Sequence, residues 1–391
     1  MIAGRRAFVI VLDACGAGAL PDAADYGDAG TNTLRHVAEA EGGLDVPALE
    51  RLGLGNVTEI PGVPPAPEPV VHGRLAPQGH GKDTTTGHWE LMGVPAPRAP
   101  VYPDGFPAEV VDEFTRATGS EVLCNAPREG LRAIDEFGAE HLRTGALILY
   151  TSQDSVFQLA AHVDVVPEDE LYRHCAAARE LLRGEHAVGR VIARPFRGEE
   201  GAFERTPGRR DFALDPPART YLDELAERGC DVHAVGKVAQ VFNGRGIAVE
   251  HSAPDNAAGI EATEQLLTDL SEGLVFTNLV DTDQVFGHRK DTAGFHAALR
   301  EIDTAVARWL EAMRPDDLLV LTADHGCDPA HPGSDHTREF APLLAAFDGH
   351  DGRRADGLLA DVGASVLLWL TGERAELPGE PFLKGLTPFR N

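Results

Sequence analysis

Leu318-Leu319-Val320-Leu321-Thr322-Ala323-Asp324-His325-Gly326 joins an unbroken apolar run to an acid and an imidazole. A short run that is apolar on both faces predicts a strand buried on both sides of a sheet. The arrangement recurs. Leu274-Val275-Phe276-Thr277-Asn278-Leu279-Val280 leads into Asp281-Thr282-Asp283, with His288 five residues after Asp283. Ala7-Phe8-Val9-Ile10-Val11-Leu12 ends at Asp13, and Leu147 to Tyr150 forms a further short run. Helical patterns alternate with these strands. After Asp291, residues Phe295, Leu299, Ile302, Val306, Trp309 and Leu310 share one apolar face. Such strands interleaved with amphipathic helices predict an α/β fold, a mostly parallel sheet between helices.

In open α/β sheets, ligands sit beyond the carboxyl ends of the strands. Asp13, Asp283 and Asp324 all close strands, and His288, His325 and His336 follow them in sequence. Any one of these acids alone also suits a turn or a helix cap. Gathered together, the six would repel or stay unpaired without a cation. Two divalent ions would neutralise the carboxylates and occupy the imidazole lone pairs, so the joint pattern predicts a binuclear metal site. Lys82-Asp83-Thr84-Thr85-Thr86-Gly87-His88-Trp89-Glu90 supplies hydroxyls for such a site. Threonine is a poor nucleophile until a metal lowers its pKa. Three threonines in a row equally suit a strand or a helix-capping loop.

The chain has 391 residues, 43% hydrophobic and 25% charged, which allows two domains with well-buried cores. Its formal charge of −27 disfavours nucleic acid and anionic lipid as partners. A phosphorylated substrate would need local cations to reverse that field. The five cysteines form no C-x-x-C pair, and reduced thiols in a cytoplasmic protein are expected. Cys15 and Cys327 read as packing residues. The first apolar run stops at Asp13, short of a signal sequence, and no run approaches the ~18 apolar residues of a membrane span. Proline clusters at 94–103 and 207–217 bracket an inserted domain of residues 98–217, with 1–97 and 218–391 forming one split core.

The Asp13 to Gly18 motif, the Lys82 to Glu90 run, the Asn278 to Lys290 stretch, Thr322 to Pro329 and Asp335 to Glu339 together resemble the phosphopentomutase family of the alkaline phosphatase superfamily. The resemblance implies an alkaline-phosphatase-like core with an inserted α/β cap domain. It implies interconversion of ribose or deoxyribose 1-phosphate and 5-phosphate through a phosphothreonine and a pentose bisphosphate. Thr85 matches the nucleophile, with Thr84 and Thr86 adjacent alternatives in a triple repeat. Asp13, Asp324 and His325 match the ligands of one metal; Asp283, His288 and His336 match those of the other. Two Mn2+ ions are implied, and glucose 1,6-bisphosphate or a similar sugar bisphosphate as activator. Ser152, Asp154, Arg190 and Ile192 resemble the sugar-facing part. Arg205, Arg209 and Lys237 match binders of the distal phosphate, with Arg209 and Arg210 inseparable by sequence. A cytoplasmic monomer acting on small pentose phosphates is expected. The alternative on the same core is a metal-dependent phosphomonoesterase or phosphodiesterase.

Overall fold

The structure, a computed structural model, describes residues 2–96, 99–152, 155–333 and 335–383. Its strands in chain order are β1 (Arg6–Leu12), β2 (Val71–Ala76), β3 (Val122–Pro127), β4 (Leu147–Thr151), β5 (Val156–His162), β6 (Arg190–Arg197), β7 (Glu204–Arg205), β8 (Arg210–Ala213), β9 (Val232–Val235), β10 (Val249–His251), β11 (Gly273–Leu279), β12 (Asp317–Thr322), β13 (Ala341–Phe347) and β14 (Gly357–Leu358). They fall into two compact units, one of residues 1–97 with 216–391 and one of residues 98–215.

The first unit holds the sheet β10-β9-β11-β1-β12-β13-β2-β14. The five strands from β10 to β12 run parallel, and β13 is antiparallel to both its neighbours. Every residue of β1, β11, β12 and β13 is buried. Their two-sided apolar character follows from cover on both faces. Helix Asn256–Asp269 packs on β11, and helix Asp361–Thr371 packs on β1 and β12. Asp291 starts helix Thr292–Ala312 by accepting a hydrogen bond from Gly294 N at 2.9 Å. Phe295, Leu299, Ile302, Val306 and Trp309 are buried along it, and Leu310 is half-buried at the edge of that face.

Strand register decides where the acids fall. Arg6 lies opposite Asp317 at the amino ends of β1 and β12. Its guanidinium donates to the two carboxylate oxygens at 2.8 and 2.6 Å, with both side chains fully buried. Losing one partner would strand a buried charge at a cost of about 3–5 kcal/mol. In this register Leu12 stands beside Leu279 and Val11 beside Thr322, so three strands end together.

The second unit is a sheet of order β3-β4-β5-β6-β7, with β8 also paired to β6. Alternation assigns its two faces. Leu147, Leu149, Phe157, Leu159 and Val191 pack with Phe114 and Leu171, which helices Ala108–Thr118 and Glu168–Leu181 supply. Ile148, Tyr150, Ala160 and Phe196 pack with Ala133 and Ile134 of helix Gly130–Thr144.

The buried His141 is built into this unit in neutral form. His141 Nε2 accepts from His162 N at 2.8 Å, so Nδ1 carries the proton it shares with Ala146 O at 2.7 Å. Burial lowers the His141 pKa, the neighbouring His162 acts the same way, and the Ala146 carbonyl opposes them. The unfolded chain therefore takes up a proton at higher pH than the folded one. The contribution to stability is complete above the unfolded value of about 6.5 and is lost as pH falls through the lower folded value. The melting midpoint should drop by several degrees between pH 7 and pH 5, and His141→Gln should flatten that slope. An equally steep slope in the variant would remove His141 as its source.

Candidate metal centre

The common end of β1, β11 and β12 carries the predicted acids. Asp13 follows β1 directly and is fully buried. Thr282 Oγ1 donates to its carbonyl at 2.6 Å, and Asn278 Nδ2 donates to its Oδ2 at 3.1 Å. After β11 the chain enters a π-helical turn, Thr282–Gly287, where His288 N donates to Asp283 O at 3.3 Å. That wide turn sets the two side chains together, with His288 Nε2 3.5 Å from Asp283 Oδ1. Asp281 serves elsewhere, accepting from Asn256 N at 3.0 Å at the start of the neighbouring helix. Asp324 Oδ1 accepts from Ala14 N and His325 N at 3.2 and 3.1 Å.

The six residues converge. His325 Nε2 lies 3.4 Å from Asp13 Oδ1 and 3.5 Å from Asp324 Oδ2. His336 Nε2 lies 3.1 Å from Asp283 Oδ1 and 3.1 Å from His288 Nε2. The donor atoms of Asp13, Asp324 and His325 all fall within 4.8 Å of one another, as do those of Asp283, His325 and His336.

Charge here is far out of balance. Burial would raise the Asp13 pKa, but Lys237 and the bond to His325 outweigh it and hold it at about 2. Asp283 is likewise held at about 2, against burial, by His336, His325 and Lys237. Burial disfavours charge on His325, yet Asp324, Asp13 and Asp283 push its pKa up to about 10. Asp13 and Asp283 thus stay ionised at neutral pH. Even so, Asp13 Oδ1, Asp283 Oδ1 and Asp324 Oδ2 are buried with no well-aligned hydrogen bond among the described residues, each having only imidazole nitrogen nearby. Three orphaned carboxylate oxygens facing one another beside imidazoles are the donor set that divalent cations satisfy. Cys327 Sγ also lies near Asp283 and His288, and burial raises its pKa.

Helix Thr84–Leu91 brings the hydroxyls. Asp83 caps it, accepting from Thr86 N at 3.1 Å, while Thr86 Oγ1 returns a bond to Asp83 Oδ2 at 2.9 Å. Thr86 is therefore part of the cap. Thr84 Oγ1 lies 3.1 Å from His325 Nε2 and accepts from Lys237 Nζ at 3.4 Å. Thr85 is half-buried and points about 100° further round the helix axis. Among the three threonines, Thr84 brings its hydroxyl to the cluster.

The rest of the motif is scaffolding. A Cβ on Gly87 would strike the Asp324 carbonyl, so the helix lies directly against the strand end. Trp89 Nε1 donates to Val241 O at 3.0 Å, and Glu90 accepts from Gly79 N at 3.0 Å. Two roles were not read from the sequence. His88 is fully buried, with Nδ1 3.1 Å from Asp324 Oδ2 and 2.9 Å from Thr84 O. Lys237, expected at a distal phosphate, has its Nζ 2.7 Å from Asp13 Oδ2 and 3.9 Å from Asp283 Oδ2. The signal for His88 was its place four residues after Thr84, one helical turn on.

The remaining candidates belong to the second unit. Ser152 follows β4, and Asp154 lies outside the described residues. Arg190 is exposed, 3.7 Å from Asp211, and Ile192 is buried. Arg209 is committed to Asp211 through two bonds of 2.7 Å. Arg210 turns to the opposite face of β8 and stacks on Tyr172 and Phe212, which separates the two arginines. Arg205 makes a loose contact with Glu129, at 3.8 Å.

The chain is similar to known proteins over most of its length. The Metalloenzyme superfamily pattern matches residues 5–372. The chain is 48% identical to a phosphopentomutase of Caldanaerobacter subterraneus subsp. tengcongensis, over 93% of each chain. It is 49% identical to a phosphopentomutase of Anaeromyxobacter sp. (strain K), over 98% of this chain and 99% of the relative. Among solved structures, Leishmania mexicana phosphoglycerate mutase shares the fold with a TM-score of 0.51 at 15% identity, covering 96% of this chain and 97% of that one. The PH0037 protein of Pyrococcus horikoshii does so with a TM-score of 0.50 at 14% identity, covering 96% and 99%.

Proposed function

The chain belongs to the phosphopentomutase family of the alkaline phosphatase superfamily, and we propose that it interconverts pentose 1-phosphates and 5-phosphates through a phosphothreonine. The observation that carries this is the meeting of three orphaned carboxylate oxygens with the Thr84 hydroxyl at one sheet end. We assign the phosphoryl-accepting oxygen to Thr84 instead of Thr85. Asp13, Asp324 and His325 would hold one divalent ion, and Asp283, His288 and His336 the other. Manganese suits a donor set of carboxylates and imidazoles. Bound there, the ions supply charge neutralisation and lower the pKa of a nearby hydroxyl.

The protein's own groups do the rest. The amino end of helix Thr84–Leu91 presents backbone N–H groups to a phosphoryl group on its first residue. Lys237 adds a positive charge beside the same oxygen. His88 steadies Asp324. A pentose monophosphate takes the phosphoryl group from Thr84, the resulting bisphosphate turns round, and its other phosphoryl group returns to Thr84. A sugar bisphosphate such as glucose 1,6-bisphosphate supplies the first phosphoryl group. Arg190 and Arg205 of the inserted unit are assigned to the phosphate that stays on the sugar, because Arg's planar fork suits it and neither is tightly paired. No helix among the described residues is long and apolar enough to cross a membrane, and the five cysteines are free thiols, as suits the cytoplasm.

Incubation with ribose 5-phosphate, manganese and a trace of sugar bisphosphate, followed by phosphorus NMR, tests this. Ribose 1-phosphate is the expected product. Release of inorganic phosphate instead would make the protein a hydrolase.

A further inference from the structure

We infer that Gly130 and the buried phenol of Tyr150 are positioning residues that seat the Arg205 guanidinium at the amino end of helix Gly130–Thr144, where, on the assignment of Arg205 made above, it meets the phosphate retained by the sugar. Three observations within the inserted unit lead there.

Gly130 is buried and is the first residue of its helix. Its φ is not positive, so nothing in the backbone demands glycine. A Cβ at this position would instead collide with Arg205 Nη2 and come within 2.8 Å of the Tyr150 hydroxyl. The space a side chain would fill is taken by the tip of Arg205.

Tyr150 is 1% exposed, and its hydroxyl oxygen has no hydrogen-bond partner among the described residues. A buried unpaired hydroxyl costs desolvation energy that phenylalanine would avoid, so packing alone does not explain it. The charges acting on the phenol are those of Arg194 and Arg205, opposed by Glu129, and Arg205 is the donor that approaches its oxygen. Arg194 is anchored, its Nε and Nη2 each 3.2 Å from Gln158 Oε1.

Arg205 is held but not neutralised. Its nearest carboxylate is Glu129, at 3.8 Å, and that side chain is 65% exposed. Helix N–H groups and Arg194 add to the positive potential around it. The arrangement is an anion reader set in place before any anion arrives, which lowers the ordering cost of binding.

The test uses the full chain with Gly130→Ala, Tyr150→Phe, Arg205→Ala and the double variant Gly130→Ala/Arg205→Ala. KM and kcat for ribose 5-phosphate are measured beside melting midpoints. Gly130→Ala should raise KM about tenfold and Tyr150→Phe about threefold, with kcat within about twofold of the parent. Melting midpoints should hold or rise, because alanine favours the helix and the lost hydroxyl was unpaired. In the Arg205→Ala background, Gly130→Ala should change KM no further. An unchanged KM in both single variants, or effects that multiply in the double variant, would overturn the positioning role. An unchanged KM in Arg205→Ala would instead sink the assignment of Arg205, and the positioning role with it.

Discussion

Thr84→Ala should lower mutase turnover by about 10,000-fold or more, while Thr85→Ala should stay within about tenfold of the parent. The asymmetry follows from geometry. Thr84 Oγ1 sits between His325 Nε2 and Lys237 Nζ, at 3.1 and 3.4 Å. A methyl group there leaves no acceptor for the phosphoryl group, and no neighbouring hydroxyl can take over. Thr86 Oγ1 is already engaged by Asp83, and Thr85 faces another way round the helix. The fold should survive, because the cap that starts the helix comes from Asp83 and Thr86. A phosphopeptide map after exposure to a sugar bisphosphate gives a second readout, independent of turnover. Phosphate should appear on Thr84 and be missing from the Thr84→Ala protein. Phosphate on Thr85, with turnover intact in Thr84→Ala, would return the role to Thr85.

Stripping divalent cations should abolish turnover and lower the melting midpoint, and manganese should restore both. The structure supplies the reason. Asp13 and Asp283 stay ionised at neutral pH, held at about 2 by Lys237 and nearby histidines. Three buried carboxylate oxygens still accept no well-aligned hydrogen bond among the described residues. A cation that binds only the folded state adds about 2.7 kcal/mol at a hundredfold excess over its Kd, enough to raise the midpoint by roughly 3–5 °C. Asp13→Ala/Asp324→Ala should remove most of the manganese-dependent shift, since both acids face the same His325. Full activity after exhaustive chelation, or a midpoint indifferent to manganese, would defeat the proposed centre. The Arg6–Asp317 pair at the far end of β1 and β12 provides a control, because its loss should lower stability without altering the response to manganese.

The six converging side chains could be read as a group because local signals mark each of them. Strands apolar on both faces announce themselves by composition, and residues just beyond their carboxyl ends must lie at one edge of a parallel sheet. Asp13, Asp324 and the Asp281–Asp283 pair follow from that rule alone. The helix after Asp291 was equally plain, since its apolar period and its cap are both written within a few residues.

Other features depend on phase and on contacts between distant segments, which no local pattern carries. Which threonine meets the cluster depends on where Asp83 starts the helix and on how Gly87 lets it dock against Asp324. Arg209 and Arg210 separate only once the pairing of β8 with β6 assigns each a face. Asp281 and Asp283 look alike in sequence, yet the π-helical turn sends one to a helix start and the other to the cluster. Lys237 belongs with Asp13 only because β9 lies beside β11, and Gly130 matters only because Arg205 fills the space its side chain would take. Periodicity and strand-end position are properties of the chain, whereas helix phase, register and occupied volume arise only when its segments pack.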